Sequence, residues 1–146
     1  MKLRRVVTGF DAQGKAVVTS DGFAPEMDIP GGMKVSPLWG SVDKLNFHAS
    51  NVLENGFPPG FDGDNALINW GASELPPGMS LGMHGTRTVD FIVVLKGEVT
   101  CVLDTGSVIT LGPHDVMVQR GTVHQWENRG TTPCAWIYAA MGRLQD

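Results

Sequence analysis

Short apolar segments separated by turn residues fill the second half of the chain, and they restrict its fold more than any other feature. Each segment is rich in β-branched or aromatic residues and is bounded by glycine, proline or aspartate, as strands of antiparallel sheets are. The segments read ALINW, DFIVVLKG, EVTCVLDTG, SVITLGPHD, VMVQRG, HQWENRG and CAWIYAAMG. None has the apolar spacing of a long amphipathic helix. We therefore predict an all-β protein, either a sandwich or a closed barrel.

The chain has 146 residues, of which 42% are hydrophobic, and this is enough for one compact core. We divide the single domain into an N-terminal arm and wrapping segment, residues 1–63, and a barrel core, residues 64–146. Two β-like runs at residues 5–8 and 16–19 predict a hairpin or arm. The segment 23–40 is too rich in proline and glycine for a regular element, so we expect it to wrap the barrel surface or to lie against a partner.

The charge distribution restricts the partners. A net charge of −4 with mixed signs along the chain gives no basic stripe, which argues against nucleic acid and anionic membrane surfaces. No apolar run approaches the roughly 20 residues that cross a bilayer, and the start MKLRRVVTGF is too short in apolar residues for a signal peptide. We therefore expect a cytoplasmic protein that binds a small molecule. Cys101 and Cys134 lie in apolar stretches and are expected to be buried free thiols.

A first motif in the second half resembles a signature of the cupin superfamily. That signature runs G-x5-H-x-H-x3-E-x6-G, and five residues of this chain fall on its positions in order: Gly78, His84, Thr86, Asp90 and Gly97. Two of its three metal-ligand positions are altered, because Thr86 replaces a histidine and Asp90 replaces a glutamate.

The second cupin signature, G-x5-P-x-G-x2-H-x3-N, is matched by Gly121, His124 and Asn128. His114 stands at the first glycine and Gln119 at the proline, with one residue fewer between them. The resemblance covers about residues 65–142 and is closest to small single-domain cupins, several of which belong to biosynthetic gene clusters. It implies a cupin-type double-stranded β-helix, or jelly-roll barrel, here with an N-terminal β arm.

Strand alternation points to the same residues without the resemblance. Successive side chains of a strand face opposite sides, so residues of equal parity share a face. His84, Thr86 and Asp90 share a parity on one segment. His124, Trp126 and Asn128 share a parity on a second segment. Polar residues that face a barrel interior unpaired cost on the order of 1–3 kcal/mol each. They must therefore bond one another, water, a ligand or a metal.

Three interpretations of this cluster stay open. In the first, His84, Asp90 and His124 hold a divalent metal ion, iron, zinc, manganese or nickel, with positions left for substrate. In the second, the site is metal-free and one histidine is an acid or base, because imidazole titrates near neutral pH. In the third, both histidines are satisfied interior residues. No organic cofactor is implied, and His48 and His114 are interpreted as surface residues.

The predicted catalytic residues are His84, His124 and Asp90, and the predicted substrate-binding residues follow from their neighbours. Trp126 shares the face of His124, and its indole can close a pocket over a planar ligand. The other predicted lining residues are Thr86, Met83 and Phe91. Three functions of different classes fit such a pocket: a lyase, isomerase or cyclase acting on a small oxygenated metabolite, an iron-dependent dioxygenase, and a non-enzymatic small-molecule binding module. We rank the first highest.

The arm predicts an assembly. Its valines Val6, Val7, Val17 and Val18 alternate poorly with polar residues, so they need cover on more than one side. Strand addition or packing against a second subunit would supply that cover. We therefore expect a homodimer formed through the arm.

Overall fold

The computed structural model describes residues 2–41 and 67–142, and these residues form twelve β-strands. His48 and the predicted division at residue 63 lie outside the described residues. The strands are β1 (Arg4–Phe10), β2 (Ala16–Phe23), β3 (Met27–Ile29), β4 (Met33–Ser41), β5 (Ile68–Leu75), β6 (Ser80–His84), β7 (Val89–Lys96), β8 (Val99–Leu103), β9 (Val108–Leu111), β10 (Val116–Arg120), β11 (His124–Glu127) and β12 (Cys134–Met141).

Two antiparallel sheets build the barrel. The larger has six strands in the order β10-β7-β12-β5-β4-β3, and the smaller has four in the order β6-β11-β8-β9. Buried side chains from both sheets form the core between them: Leu75, Val94, Val99, Cys101, Trp126, Cys134 and Trp136. The predicted all-β jelly-roll barrel is confirmed, and both cysteines are free and buried as expected. Within the described ranges, no helix is long and apolar enough to span a membrane.

The prediction that segment 23–40 lacks regular structure is wrong. It forms the hairpin β3–β4, in which Met27 pairs with Val35 and Ile29 with Met33, and β4 joins the six-stranded sheet beside β5. The glycines that argued against a strand lie in the turn, where Gly31 and Gly32 have φ angles of 89° and 87°. Pro37 is accommodated because the β4–β5 register shifts directly after it.

The N-terminal arm is a hairpin, as predicted. Among the described residues, strands β1 and β2 pair with each other alone in a two-stranded sheet, with a register shift between Val7 and Thr8. The side chains of Val17 and Val18 are exposed. The arm contacts the barrel through Arg5, whose guanidinium donates a hydrogen bond to the backbone oxygen of Leu38 at 3.1 Å.

Gly97, in the hairpin between β7 and β8, is expected to be intolerant of any side chain. Its φ is 65°, and a Cβ there would lie 2.8 Å from the Cα of Cys134 and 2.8 Å from the carbonyl oxygen of Pro133. Gly97→Ala should therefore lose roughly 1–2 kcal/mol of unfolding free energy to the left-handed backbone and about 1–3 kcal/mol more to the clash. Gly106, with φ of 84° and open space around it, is the matched control and should lose only the first amount. Urea unfolding of the two alanine variants measures both, and equal losses would contradict the close approach.

Candidate active site

A β-bulge brings two histidines together at the end of the four-stranded sheet. His84 is the last residue of β6 and pairs in register with His124, the first residue of β11. Between this pair and the next pair, Trp126 with Leu81, the register shifts, so one extra residue lies on β6. Leu81 and His84 can therefore both approach the interior although they are three residues apart. The two imidazole centroids lie 4.4 Å apart with the rings tilted by 55°.

Both imidazoles are held in the same tautomer by the backbone. The Nδ1 of His84 lies 2.7 Å from the carbonyl oxygen of Gly82, and the Nδ1 of His124 lies 2.8 Å from that of Thr122. A carbonyl oxygen only accepts hydrogen bonds, so each Nδ1 carries the hydrogen. In the neutral rings both Nε2 atoms then hold a lone pair for a proton or a metal ion.

The two histidines differ in exposure, and this separates their chemistry. His84 is exposed at the rim of the barrel, whereas His124 is 2% exposed. Burial lowers the pKa of His124 below its ordinary 6.5, and repulsion by His84 adds to the effect. The hydrogen bond to Thr122 and the charge of Asp90 oppose it without reversing it. His124 is therefore a neutral base near neutral pH.

Asp90 faces the histidine pair from the other sheet. It lies on β7 and is half-buried, and its Oδ1 accepts a hydrogen bond from the Thr88 hydroxyl at 2.6 Å. The Thr88 hydroxyl lies 2.7 Å from that of Thr86, so a chain of hydroxyls leads to the carboxyl group. Burial raises the pKa of Asp90, and the Thr88 hydrogen bond and the charges of the two histidines oppose that rise. The carboxyl group thus holds its proton more strongly than an exposed aspartate does.

The described side chains fit a metal ion only in part. The two imidazoles, with Nδ1 bonded to backbone and Nε2 unprotonated, have the form of metal-binding histidines. However, among residues 2–41 and 67–142 no three His, Cys, Asp or Glu side chains are grouped closely enough to hold one ion. As placed, Asp90 is bonded to Thr88 and does not complete a three-ligand set with the histidines. The binding of a divalent ion by His84, Asp90 and His124 stays a prediction.

The other predicted lining residues are divided between the site and the surface. Trp126 is buried in the core, with its ring edge-on to His124 at 5.4 Å and stacked on Trp136 at 5.7 Å. The indole of Trp126 therefore packs against the imidazole of His124 from the core. Met83 is exposed beside His84 at the rim. Phe91 lies on the outer face of β7, opposite to Asp90, and is 46% exposed, so the structure does not place it in the pocket.

Three polar interior residues escaped the sequence analysis. Gln119 pairs with Asp90 across β10 and β7, and Asn69 on β5 lies two strands from Asp90 on the other side. The hydroxyl of Tyr138, on β12, hydrogen-bonds the side chain of Asn69, and burial raises its pKa to about 12. Gly71 leaves the space for this phenol, since a Cβ there would lie 2.6 Å from the hydroxyl oxygen. Strand parity applied to INW and VQR would have indicated the two amides.

Comparison with known proteins identifies the family. The family model described as "Cupin domain" matches residues 71–140, the part of the chain that holds both histidines. The phomopsin biosynthesis cluster protein C' of Diaporthe leptostromiformis is 36% identical over 141 residues, which cover 90% of this chain and 72% of that protein. This chain belongs to the cupin family. A cupin-domain-containing oxidoreductase of Aspergillus ruber is 27% identical over 148 residues, covering 94% of this cupin and 71% of the relative.

The structural comparison agrees with the family assignment at the level of fold. The cupin domain of Cnp3 from Schizosaccharomyces pombe superposes with a TM-score of 0.59 over 98% of this cupin and 90% of that domain, at 13% identity. The family resemblance predicted from the two signatures is therefore confirmed. The substituted positions, Thr86 and Asp90, lie on the hydroxyl chain next to the histidine pair.

Proposed function

We propose that this cupin is an enzyme of small-molecule biosynthesis that moves a proton on a small oxygenated metabolite, as a lyase, isomerase or cyclase does. The observation that carries the proposal is the histidine pair. Its two Nδ1 atoms are committed to backbone carbonyls, so the two Nε2 atoms are the reactive nitrogens. The fungal relatives, a biosynthesis cluster protein and a cupin-domain oxidoreductase, support a biosynthetic setting.

The three groups divide the proton transfers between them. His124, neutral and buried, takes a proton from the substrate through Nε2, at a hydroxyl or at a carbon next to a carbonyl. We assign to the Asp90 carboxyl group the transfer of a proton to the substrate oxygen on which negative charge develops, and burial, which raises its pKa, favours the protonated form that this role requires. The proton on His124 then returns to the Asp90 carboxylate through His84, which is exposed at the rim, and water, and this restores the starting state. Loss of the protonated oxygen gives dehydration, and attack by a second group gives ring closure.

An oxidoreductase is the second candidate, because that activity appears in the name of the Aspergillus ruber relative. The two candidates differ in the source of the atoms that enter the product. Proton-transfer chemistry exchanges carbon-bound hydrogen with water or expels water, and it takes no atom from dioxygen, whereas a dioxygenase introduces oxygen from dioxygen. A non-enzymatic binding module changes neither the hydrogen nor the oxygen content of its ligand.

Isotope labelling of a biosynthetic metabolite extract tests the proposal. Purified protein is incubated with the extract in D2O under labelled dioxygen, and mass spectrometry follows every metabolite that changes. We expect a metabolite that loses water or gains deuterium at a non-exchangeable position with wild-type protein and not with His124→Gln. A product carrying labelled oxygen would replace the proposal with the dioxygenase. An unchanged extract would favour the binding module.

A metal requirement is tested by adding the histidine that the cupin signature has at position 86. Thr86→His places a third imidazole next to the pair, and three protein ligands are the usual minimum for a retained ion. After incubation with iron, zinc, manganese or nickel and dialysis, this variant should retain close to one ion per chain and clearly more than the wild type, as measured by elemental analysis. Thr131→His, an exposed threonine away from the site, is the matched control. Equal retention by both variants would contradict the ligand geometry.

We further propose that the cupin forms a homodimer through the arm. The exposed valines Val17 and Val18 and the pairing of β1 with β2 in a sheet separate from the two barrel sheets support this assembly. A chain lacking residues 2–23 is expected to be monomeric and less stable, by analytical ultracentrifugation and thermal unfolding. A truncated chain that remained dimeric with unchanged stability would refute the assignment.

A further inference from the structure

A block of exposed apolar side chains lies on the outer face of the six-stranded sheet, opposite to the face that carries Asp90. On β10 and β7, Val118 pairs with Phe91 and Val116 pairs with Val93, and cross-strand partners share a face. All four side chains are exposed, Val116 at 69%. Together they present an apolar area on the order of 350 Å², a size at which exposed patches are often functional. We call these four residues the outer patch.

The outer patch lies at the edge of its sheet, and this increases its need for cover. Among the described strands, β10 pairs with β7 alone and ends the six-stranded sheet. The strand VMVQR carries a single charge, Arg120 at its end. Edge strands with exposed apolar side chains associate with other chains unless charges or a covering element protect them. We therefore expect another polypeptide segment to pack on this face.

The arm presents a second exposed apolar surface. Residues 4, 8 and 10 of β1 share a face, and their partners on β2 include Val18 and Phe23, so Phe10, Val18 and Phe23 lie on one side of the hairpin. All three are exposed, Phe23 at 70%. Arg5 lies on the opposite side and bonds the Leu38 backbone of its own barrel. The side with Phe10, Val18 and Phe23, which we call the arm face, is therefore directed away from that barrel.

The arm does not cover the outer patch of its own chain. It contacts β4, and β5 and β12 separate β4 from β7 in the sheet, so at the usual strand spacing the patch begins about 14 Å from that contact. A two-fold axis parallel to the strands reverses the strand order between two facing sheets. The β4 side of one subunit then lies opposite the β10 side of the other. This arrangement brings the arm of a second copy to the outer patch.

We propose that the outer patch is the surface on which a second copy of this chain docks its arm face, and that two-fold symmetry makes this contact twice in each dimer. Two such contacts would bury roughly 1,400 Å² of apolar surface, and a stable protein–protein interface buries about 1,200–2,000 Å² in total. The inference rests on the homodimer proposed above, because it names the surface that receives the arm.

Two aspartate variants of the full-length chain test the contact from its two sides. Val18→Asp places a charge in the arm face, and Val118→Asp places one in the outer patch. Because each homodimer then buries two unpaired charges, each variant should raise the dimer dissociation constant about 100-fold or more, measured by analytical ultracentrifugation. Val108→Asp, at an exposed valine of β9 in the other barrel sheet, is the matched control and should dimerise as the wild type does.

Mixing the two aspartate variants shows whether arm and patch meet each other. In a mixed dimer, the intact arm of the Val118→Asp chain packs on the intact patch of the Val18→Asp chain, so one of the two contacts is undamaged. We expect mixed dimers, detected by native mass spectrometry of differently tagged chains, at concentrations where each variant alone is monomeric. Absence of mixed dimers under these conditions would overturn the proposal.

The single variants also exclude the other arrangements of two copies. If patch packed on patch, Val18→Asp alone would remain dimeric, and if arm packed on arm, Val118→Asp alone would remain dimeric. Either result would overturn the contact between arm and patch. Urea unfolding checks that each variant is folded, and Phe91→Ser, which removes an aromatic ring from the patch without adding a charge, replaces Val118→Asp if that variant does not fold.

Failure of this inference is distinguishable from failure of the homodimer on which it rests. A wild-type chain that stays monomeric would overturn both. If Val18→Asp is monomeric while Val118→Asp and Phe91→Ser remain dimeric, the arm dimer stands and the outer patch is wrong. The proposed proton-transfer chemistry is tested separately, by His124→Gln, and does not depend on either result.

Discussion

His124→Gln is expected to lower the turnover of the deuterium-labelling reaction by about 10²–10⁴-fold, the usual contribution of a positioned general base. The variant should still fold, because a glutamine fits the buried position and its amide can donate to the Thr122 carbonyl as Nδ1 does now. The matched control is His114→Asn, since His114 is exposed in a turn with φ of 73° and asparagine tolerates that backbone. The control should retain wild-type turnover. Equal losses in the two variants would remove His124 from the mechanism.

The pH dependence of the same reaction follows from the sign of the shift at His124. A base acts while it is unprotonated, so activity on the acid side falls only as the pH drops through the pKa of His124 in the folded protein. Burial holds that pKa below 6.5, so the acid limb should lie below pH 6.5. A buffer series on the initial rate locates it. An acid limb above pH 6.5 would contradict a desolvated, neutral His124.

Trp136→Ala is expected to cause the largest loss of stability, about 3–5 kcal/mol of unfolding free energy, because it empties a large core position. Trp136 is 4% exposed and stacks on Trp126, which in turn meets the edge of His124. The loss should therefore also loosen the imidazole and reduce turnover at temperatures where the variant remains folded. The cavity left by the substitution is connected to His124 through two aromatic contacts, Trp136 with Trp126 and Trp126 with His124.

Trp70→Ala is the matched control for that experiment. Trp70 lies on β5, next to β12, and is 40% exposed, so its truncation removes less buried apolar surface and should cost clearly less unfolding free energy than Trp136→Ala. Urea unfolding followed by circular dichroism compares the two variants. Similar losses in both would show that Trp136 does not occupy a packed core.

The fold class and most of the candidate site residues could be predicted from the sequence, because both depend on local patterns of residues. Alternation of apolar residues defined the strands, and parity placed Asp90 and His124 toward the interior. Parity alone could not place His84, because the bulge between β6 and β11 adds a residue and breaks the alternation. Phe91 was expected at the pocket edge, although its parity is opposite to that of Asp90 and its side chain faces outward.

Other errors came from treating composition as structure. Pro30, Gly31 and Gly32 made segment 23–40 look irregular, but they form the tight turn that lets β3 and β4 pair. Gln119 and Asn69 were passed over because an amide inside an apolar strand does not reveal its partners. Only the sheet register shows that both lie in one row with Asp90.

The central claim is that His124 is a buried, neutral imidazole whose Nε2 is free to accept a proton. Nitrogen-15 NMR of the imidazole rings tests it directly and needs no substrate. The account predicts that His84 and His124 both carry hydrogen on Nδ1, and that His124 keeps an unprotonated Nε2 as the pH falls past 6.5. A hydrogen on Nε2 of His124 at neutral pH, or a His124 that protonates above pH 6.5, would contradict it.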